Sequence, residues 1–352
     1  MGSVKDLKVI EKPTADKMGV GRFNFSDRYS VFDWGEMPDH IDGKGEALCL
    51  MGAYCFEWLE TKGVETHYSG LVDKNGKVVT FEDLEEPTST MEVNLVNVYK
   101  PETRDAKGKV VYDYSRYTPN LKNCLIPLEV IYRNGLPEGS SVFKRLEQGK
   151  ITLKDLGLDH HPRPGERFTK PIFDVSTKLE ETDRYVTWDE AQKIAGLTTQ
   201  EAAAVKAVLS KVNDAISRIA SHAGLENEDG KIELAFNTER LLMVVDVVGT
   251  LDECRFTYGG VHVSKEVARQ FYKKTSWYGD VEEAKKTAEG QGVQDWKALC
   301  KSQPPKLDAN LKNIISGMYM AAANELTDRK LFDAPRLAEV IKKYREYMGE
   351  KK

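Results

Sequence analysis

No apolar run in this 352-residue chain is long enough to span a bilayer, so a helical membrane anchor is not expected. The first residues, MGSVKDLKVI, lack the extended apolar core of a signal peptide, and a cytoplasmic location follows as an expectation. Cysteine is sparse. The five residues Cys49, Cys55, Cys124, Cys254 and Cys300 are odd in number and form no CxxC, which argues against a disulfide framework or a zinc site and suits a reducing compartment. The six histidines are scattered, and the one cluster, His160-His161, sits among Pro and Gly and reads as a solvated loop. Neither sign of charge dominates: 51 Lys and Arg face 56 Asp and Glu, a formal charge of −5. Bulk attraction to nucleic acid is therefore not expected, and local basic clusters must serve small anions. What remains is ordinary for a soluble globular enzyme, with 40% hydrophobic and 30% charged residues, long enough for a large core and two domains.

The stretch Ile126 to Leu146 is the most informative. Leu128, Val130 and Tyr132 alternate with Glu129, Ile131 and Arg133, which predicts a strand with one greasy face and Glu129 and Arg133 on the other. Gly135, Pro137 and Gly139 then signal a turn. A charged face on a buried strand is costly unless paired. Gly139-Ser140-Ser141 beside Arg133, Lys144 and Arg145 can hold a phosphate through backbone N–H groups, hydroxyls and guanidinium. The plainer reading is a strand and loop with Glu129 and Arg133 as an ion pair.

A second inference concerns carboxylates. Lys231 to Phe236 alternates as a strand, and LLMVVDVV from Leu241 to Val248 reads as its partner. A hairpin symmetrical about Glu239-Arg240 places Glu233 directly opposite Asp246, with Cβ atoms roughly 5 Å apart. Two such carboxylates repel, and a cation between them removes the problem; hard oxygen ligands suit Mg²⁺ shared with nucleotide phosphates. One protonated carboxylate, or pairing with Lys231, is the alternative. Elsewhere, Asn75-Gly76 predicts a hairpin. Residues 93–123 read as strand-like stretches around a polar turn, ETRDAKGK, and 146–167 as surface loop. Thr198 to Gly224 reads as a helix with a Thr198/Glu201 capping box and a stripe of Val205, Val208, Leu209, Val212, Ile216 and Ile219. Two helical stripes, from Leu311 to Leu326 and from Leu337 to Tyr344, close the chain as packing or oligomer surface.

Taken in order, SDR-x-S-x-FD from Ser26, GKGE from Gly43, PLEV-x-x-RN from Pro127 with GS and KRL following, P-x-F-x-x-STK from Pro171, K-x-E from Lys231, D-x-CR from Asp252 and SK-x-x-x-R from Ser264 resemble the signature of SAICAR synthetase, in a long variant of archaeal type. The resemblance implies an α+β fold of two lobes, 1–125 and 126–352, related to ATP-grasp and kinase-like architectures. ATP then lies between the lobes, with its adenine near the crossover around Leu125. It implies ATP and Mg²⁺ as cofactors and a ligase joining L-aspartate to the carboxylate of carboxyaminoimidazole ribonucleotide. Gly2 and Lys5 would cover the ATP phosphates, and Lys5 and Lys178 would stabilise charge on the transferring phosphoryl group. Glu233 and Asp246 would hold the metal. Arg133, Gly139, Ser140, Arg255, Lys265 and Arg269 would hold the ribonucleotide phosphate and carboxylates, with Glu129 orienting its base or ribose; Asp27, Ser30 and Asp183 complete the implied substrate residues. The partners are small molecules, with room for a homo-oligomer. The chain departs from the family pattern at Ser3, Cys49, Gly52, Thr182 and Val247, where lysine, threonine or serine, histidine and glutamate are usual. Those departures leave two alternatives: a related carboxylate–amine ligase with another substrate, or a nucleotide-binding regulator without catalysis.

Overall fold

A computed structural model describes residues 4–105, 110–291, 293 and 295–349. The first strand pair is β1 (Lys5–Glu11) and β2 (Gly19–Phe25), antiparallel, with Gly21, Phe23 and Phe25 buried on the inner face of β2. Helix α1 (Lys44–Thr61) follows a loop whose Asp27 accepts hydrogen bonds from the Gly45 and Gly43 N–H groups at 2.9 and 3.3 Å, satisfying donors that a helix start leaves open. Strands β3 (Tyr68–Val72) and β4 (Val78–Val79) form the expected hairpin, with Gly76 at φ 81°. Strand β5 (Thr90–Leu95) inserts between β2 and β3 and completes a five-stranded sheet in the order β1-β2-β5-β3-β4.

A separate ribbon follows, β6 (Glu102–Asp105) and β7 (Val110–Asp113). The expected polar turn over 102–109 is therefore half strand. Glu102, Thr103 and Arg104 are exposed, so this ribbon has no buried face to leave an apolar alternation in the sequence. Strand β8 (Cys124–Leu136) then runs through Gly135, where a turn was expected. A Cβ at Gly135 would lie 2.5 Å from Glu228 Oε2 and 3.0 Å from Glu166 O, so the glycine marks a close approach at a bulge rather than a break. The region expected as loop holds short helices α2 (Ser141–Glu147) and α3 (Leu153–Leu156), the latter fixed by a Thr152/Asp155 capping box. Strand β9 (Glu166–Thr177) is followed by α4 (Trp188–Ile194) and α5 (Thr199–His222). The latter has the predicted Thr198/Glu201 capping box, and its stripe is buried except for half-buried Val208.

Strands β10 (Glu226–Phe236), β11 (Leu242–Val245), β12 (Cys254–Tyr258) and β13 (Val261–Val263) join β8 and β9 in a six-stranded sheet, ordered β13-β12-β10-β8-β9 with β11 on β10. Helices α6 (Glu266–Lys273), α7 (Ser276–Gln291), α8 (Ala309–Thr327) and α9 (Leu337–Tyr347) complete the chain. Leu128, Val130 and Tyr132 of β8 and Ile232 and Leu234 of β10 share one core with the stripe of α5. Helix α1 packs against α8 and α5, so the C-terminal stripes are buried within the protein's own core. Among the described residues no helix is long and apolar enough to cross a membrane.

Candidate active site

With Leu128, Val130 and Tyr132 turned to the core, the other face of the six-stranded sheet carries the charge. Across β8 and β10, Glu129 stands opposite Glu233, Ile131 opposite Lys231 and Arg133 opposite Asp229. Across β8 and β9, Ile131 stands opposite Asp174 and Glu129 opposite Ser176. Buried charges survive only when paired, and here two networks pair them.

The first network holds the carboxylates. Glu129, 3% exposed, accepts from Lys178 Nζ and Lys231 Nζ, each at 2.8 Å on Oε1. Lys178 Nζ also lies 2.8 Å from Glu233 Oε1, and Lys231 Nζ lies 3.6 Å from Glu253 Oε2. Lys5, from β1 of the other sheet, reaches Asp246 Oδ1 at 2.7 Å with its ammonium 5.0 Å from the centre of the Phe23 ring. Glu233 is pushed up to about 7, first by burial and then by the negative charge of Asp246. At Asp246 burial is outweighed by Lys5, and the carboxyl sits below its usual range. Burial is likewise outweighed at Glu129, by Lys231 and Lys178.

The hairpin register differs from the symmetrical one expected. Glu233 pairs with Val245, Leu234 with Val244 and Phe236 with Leu242. Asn237 N–H donates to Leu241 O at 3.0 Å and Arg240 takes φ 63°, so the connection has three residues, Thr238, Glu239 and Arg240, instead of a symmetrical turn. Asp246 then leaves the strand at φ 66°. His67 packs its ring nitrogen 3.2 Å from the Asp246 carbonyl at this bend. The two carboxylates are thus not cross-strand partners, yet they still feel each other's charge. Val247, where the family pattern has glutamate, is buried against α1; a Cβ at Gly52 would lie 3.3 Å from its Cγ1, so these two departures from the pattern pack together.

The second network is basic. Arg133, 2% exposed, reaches Asp174 Oδ2 at 3.1 Å and Asp229 Oδ2 at 3.4 Å, and its Nε has no partner among the described residues. Arg145 grips Asp174 with both Nη atoms, at 2.5 and 3.2 Å, and stacks 3.9 Å over the Tyr185 ring. Arg255 donates to Asp229 through Nε at 2.8 Å and also through Nη2. The Glu129–Arg133 pair of the plainer reading does not form, since each residue is committed to its own network. Lys265, just before α6, makes no ion pair among the described residues; burial lowers its pKa, partly offset by Asp252 and Glu253. Arg269 pairs with Glu266 at 3.2 Å.

Other expected residues are placed as follows. Ser140 caps α2 by accepting from Val142 N–H, after Gly139 at φ 82°. Ser30 accepts from Gly35 N–H at 3.3 Å in a loop where Phe32 and Asp33 take left-handed backbone angles. Asp183 is exposed, in a loop that follows Lys178. Asp27 is engaged with the start of α1. Leu125 lies in a second apolar cluster with Ala235, Met243 and Val245, edged by Met18, Val96 and Leu179. Gly2 lies outside the described residues.

Asp229 and Asp174 were not singled out in the sequence, whereas Arg145 was read there as a phosphate contact and Lys231 as an alternative partner for the carboxylates. Both aspartates had a signal: Asp229 alternates with Lys231 and Glu233, and Asp174 with Ser176 and Lys178, so each belongs to a face already marked as charged. The grip of Arg145 on Asp174 had no signal, because α2 is brought over β9 only by the fold. Lys44 of the Gly-Lys-Gly turn is fully buried on Asp252 at 2.8 Å and holds no open anion site.

Comparison with known proteins agrees with this arrangement. The model of the SAICAR synthetase family matches residues 8–289. A protein of Archaeoglobus fulgidus that carries the name phosphoribosylaminoimidazole-succinocarboxamide synthase provisionally is 49% identical over 348 residues, 99% of this chain and 100% of its own. The Thermoplasma volcanium protein named phosphoribosylaminoimidazole-succinocarboxamide synthase is 32% identical over 315 residues, 88% of this chain and 93% of its own. Among solved structures, SAICAR synthase from Saccharomyces cerevisiae complexed with SAICAR superposes with a TM-score of 0.61 at 20% identity, covering 94% of both chains. By sequence and by fold, this chain belongs to the SAICAR synthetase family.

Proposed function

We infer that the protein is an ATP-dependent ligase of purine biosynthesis that joins L-aspartate to the carboxylate of carboxyaminoimidazole ribonucleotide, releasing SAICAR, ADP and phosphate. The observation that carries this reading is the split of one sheet face into an acidic end reached by Lys5 and Lys178 and a basic end built on Arg133, Arg145 and Arg255. The acidic end suits a metal–phosphate group, and the basic end suits a phosphate monoester.

Glu233 and Asp246 fit Mg²⁺: both are hard oxygen donors, and burial together with the charge of Asp246 raises Glu233 toward neutrality, a cost that a cation would relieve. Among the described residues no cluster of three or more ligating side chains stands ready, so the remaining shell would come from phosphate oxygens and water. When bound, the metal neutralises and orients the ATP phosphates. The adenine lies against Leu125, Val96 and Leu179 between two lobes, 1–125 and 126–352. Lys178 and Lys5 stabilise charge on the phosphoryl group as a carboxylate oxygen of the ribonucleotide attacks it and ADP leaves. The aspartate amine then attacks the acyl phosphate carbon, and phosphate departs. Arg255, Lys265 and Arg269, with Arg133, Gly139 and Ser140 beside them, hold the ribonucleotide; Glu129 orients its base or ribose. Asp27, Ser30 and Asp183 line the substrate side. The reaction is placed in the cytoplasm.

A coupled ADP-release assay with each substrate omitted in turn tests this. ADP and amide product appear only when ATP, the ribonucleotide and aspartate are all present. Equal ADP release without aspartate, and no amide with it, sinks the assignment.

A further inference from the structure

We propose that Tyr319, on α8 and outside the part of the chain matched by the family model, is a positioning residue of the ribonucleotide site: its hydroxyl holds Asp252 on Lys44 and so leaves the Lys265 ammonium free for a substrate anion. This rests on the reading of Lys265 as a ribonucleotide ligand.

Both oxygens of Asp252 are engaged. Oδ2 accepts from Lys44 Nζ at 2.8 Å and Oδ1 from the Tyr319 hydroxyl at 2.6 Å. The set is closed to water: Lys44 is 0% and Tyr319 1% exposed, and the Lys44 ammonium also lies 5.4 Å from the centre of the Tyr319 ring. Three parts of the chain meet here, α1 through Lys44, the turn before β12 through Asp252, and α8 through Tyr319. Lys265 is the other cation that acts on Asp252, holding its carboxyl low together with Lys44, but it makes no ion pair with it. The other charges that act on Lys265 are Glu253, Arg269 and Lys231. Asp252 therefore attracts Lys265 without consuming it, because α1 and α8 already place a donor on each of its oxygens. Without the Tyr319 hydroxyl, Oδ1 becomes a buried acceptor lacking a donor, and the ammonium already drawn toward it is Lys265. A Lys265 bound to Asp252 competes with the substrate anion. Asp252 also lies three residues before Arg255, so any shift carries to the basic network.

The test is Tyr319→Phe, with steady-state KM measured separately for ribonucleotide and ATP, and thermal melting alongside. A lost hydrogen bond to a charged group predicts a ribonucleotide KM raised on the order of tenfold, with the ATP KM within about twofold of wild type. Thr327→Val serves as control for simple loosening of α8: the Thr327 hydroxyl bonds only the Ala323 carbonyl of its own helix, and this variant keeps the wild-type ratio of the two KM values. If Tyr319→Phe does not accumulate folded, the same split is read on Tyr319→His. Two KM values that rise together, or a ribonucleotide KM unchanged in the Tyr319 variant, overturn the positioning role. Lys265→Met separates the two ideas. A raised ribonucleotide KM there with none in Tyr319→Phe overturns only the role of Tyr319, whereas no change in Lys265→Met overturns the ligand reading and the positioning role with it.

Discussion

The two ends of the charged sheet face use the same strands and the same alternation, yet they solve the burial of charge differently. At the Arg133 end, three guanidinium groups share two aspartates, Asp174 and Asp229, in mostly bidentate or paired geometry. At that end both aspartates are paired, Arg133 Nε alone among its guanidinium nitrogens lacks a partner among the described residues, and an excess of positive charge remains. At the Glu129 end, Glu129, Glu233, Asp246 and Glu253 are served by Lys5, Lys178 and Lys231, and one carboxylate, Glu233, is driven toward protonation. Planar arginines over-determine a rigid anion cradle, while point-charge lysines leave a carboxylate that a proton or a cation must neutralise. The contrast teaches that the basic end contributes to the fold by itself, whereas the acidic end, on the function proposed, is completed by its ligand.

The largest effect expected from breaking this contrast is on stability at the basic end. Arg133→Met strands two buried aspartates on one partner each, and a loss of about 3 kcal/mol is expected in urea unfolding, the low end for a broken buried pair. A loss below about 1 kcal/mol would make the network a surface-like ion pair and erase the contrast. At the acidic end the same kind of change should spare the fold. Glu233→Gln and Asp246→Asn each cut turnover on the order of a hundredfold and lose most of the melting shift that Mg²⁺-ATP gives wild type by mass action. An undiminished shift in both variants moves the metal elsewhere. Smaller again is Lys265→Met. It removes a half-buried cation that makes no ion pair among the described residues, so melting holds or rises, while ribonucleotide affinity falls on the order of tenfold, about 1.4 kcal/mol; calorimetry with ATP as the second ligand shows whether the loss is confined to the ribonucleotide.

The most gradual effect, smallest per step, is a pH slope. Glu233 has its folded value raised from 4.5 to about 7, so its contribution to stability is present below 4.5 and is lost as pH rises through about 7. Asp246 works oppositely, with its contribution lost only as pH falls below its usual range. Urea midpoints between pH 5 and 7.5 read Glu233 as a difference from Glu233→Gln: relative to that variant the unliganded wild type loses stability with rising pH, by up to roughly 1.4 kcal/mol per unit, while buried His67, lowered to about 4, acts in the opposite direction in both. A wild-type slope that survives in Glu233→Gln assigns the titration to another group.

The sequence showed much of this directly. Alternation in PLEVIYR established that Glu129 and Arg133 share a face opposite Leu128, Val130 and Tyr132, and the Thr198/Glu201 box and its stripe located α5. Local rules suffice there because a strand period of two and a helix period of 3.6 are properties of the backbone. The exposed ribbon β6–β7, the run of β8 through Gly135 and the short helices between 141 and 156 escaped, since none leaves a sustained apolar period.

By itself, then, the chain's order of residues determined which face of the central strands is charged, which helices are amphipathic, and the family signature that Lys5, Lys178, Glu233 and Asp246 belong to. The tertiary structure alone decided who pairs with whom. Whether Glu233 faces Asp246 depended on one residue in a turn, where Arg240 in a left-handed conformation makes a three-residue connection that shifts the register onto Val245. Whether Arg133 meets Glu129 or Asp174 depended on which strand lies beside β8, and whether Asp252 is free depended on a helix more than 50 residues further along the chain. Periodicity is a local property and survives in sequence; partnership between charges is set by long-range packing, and the electrostatics of the site follow from that packing.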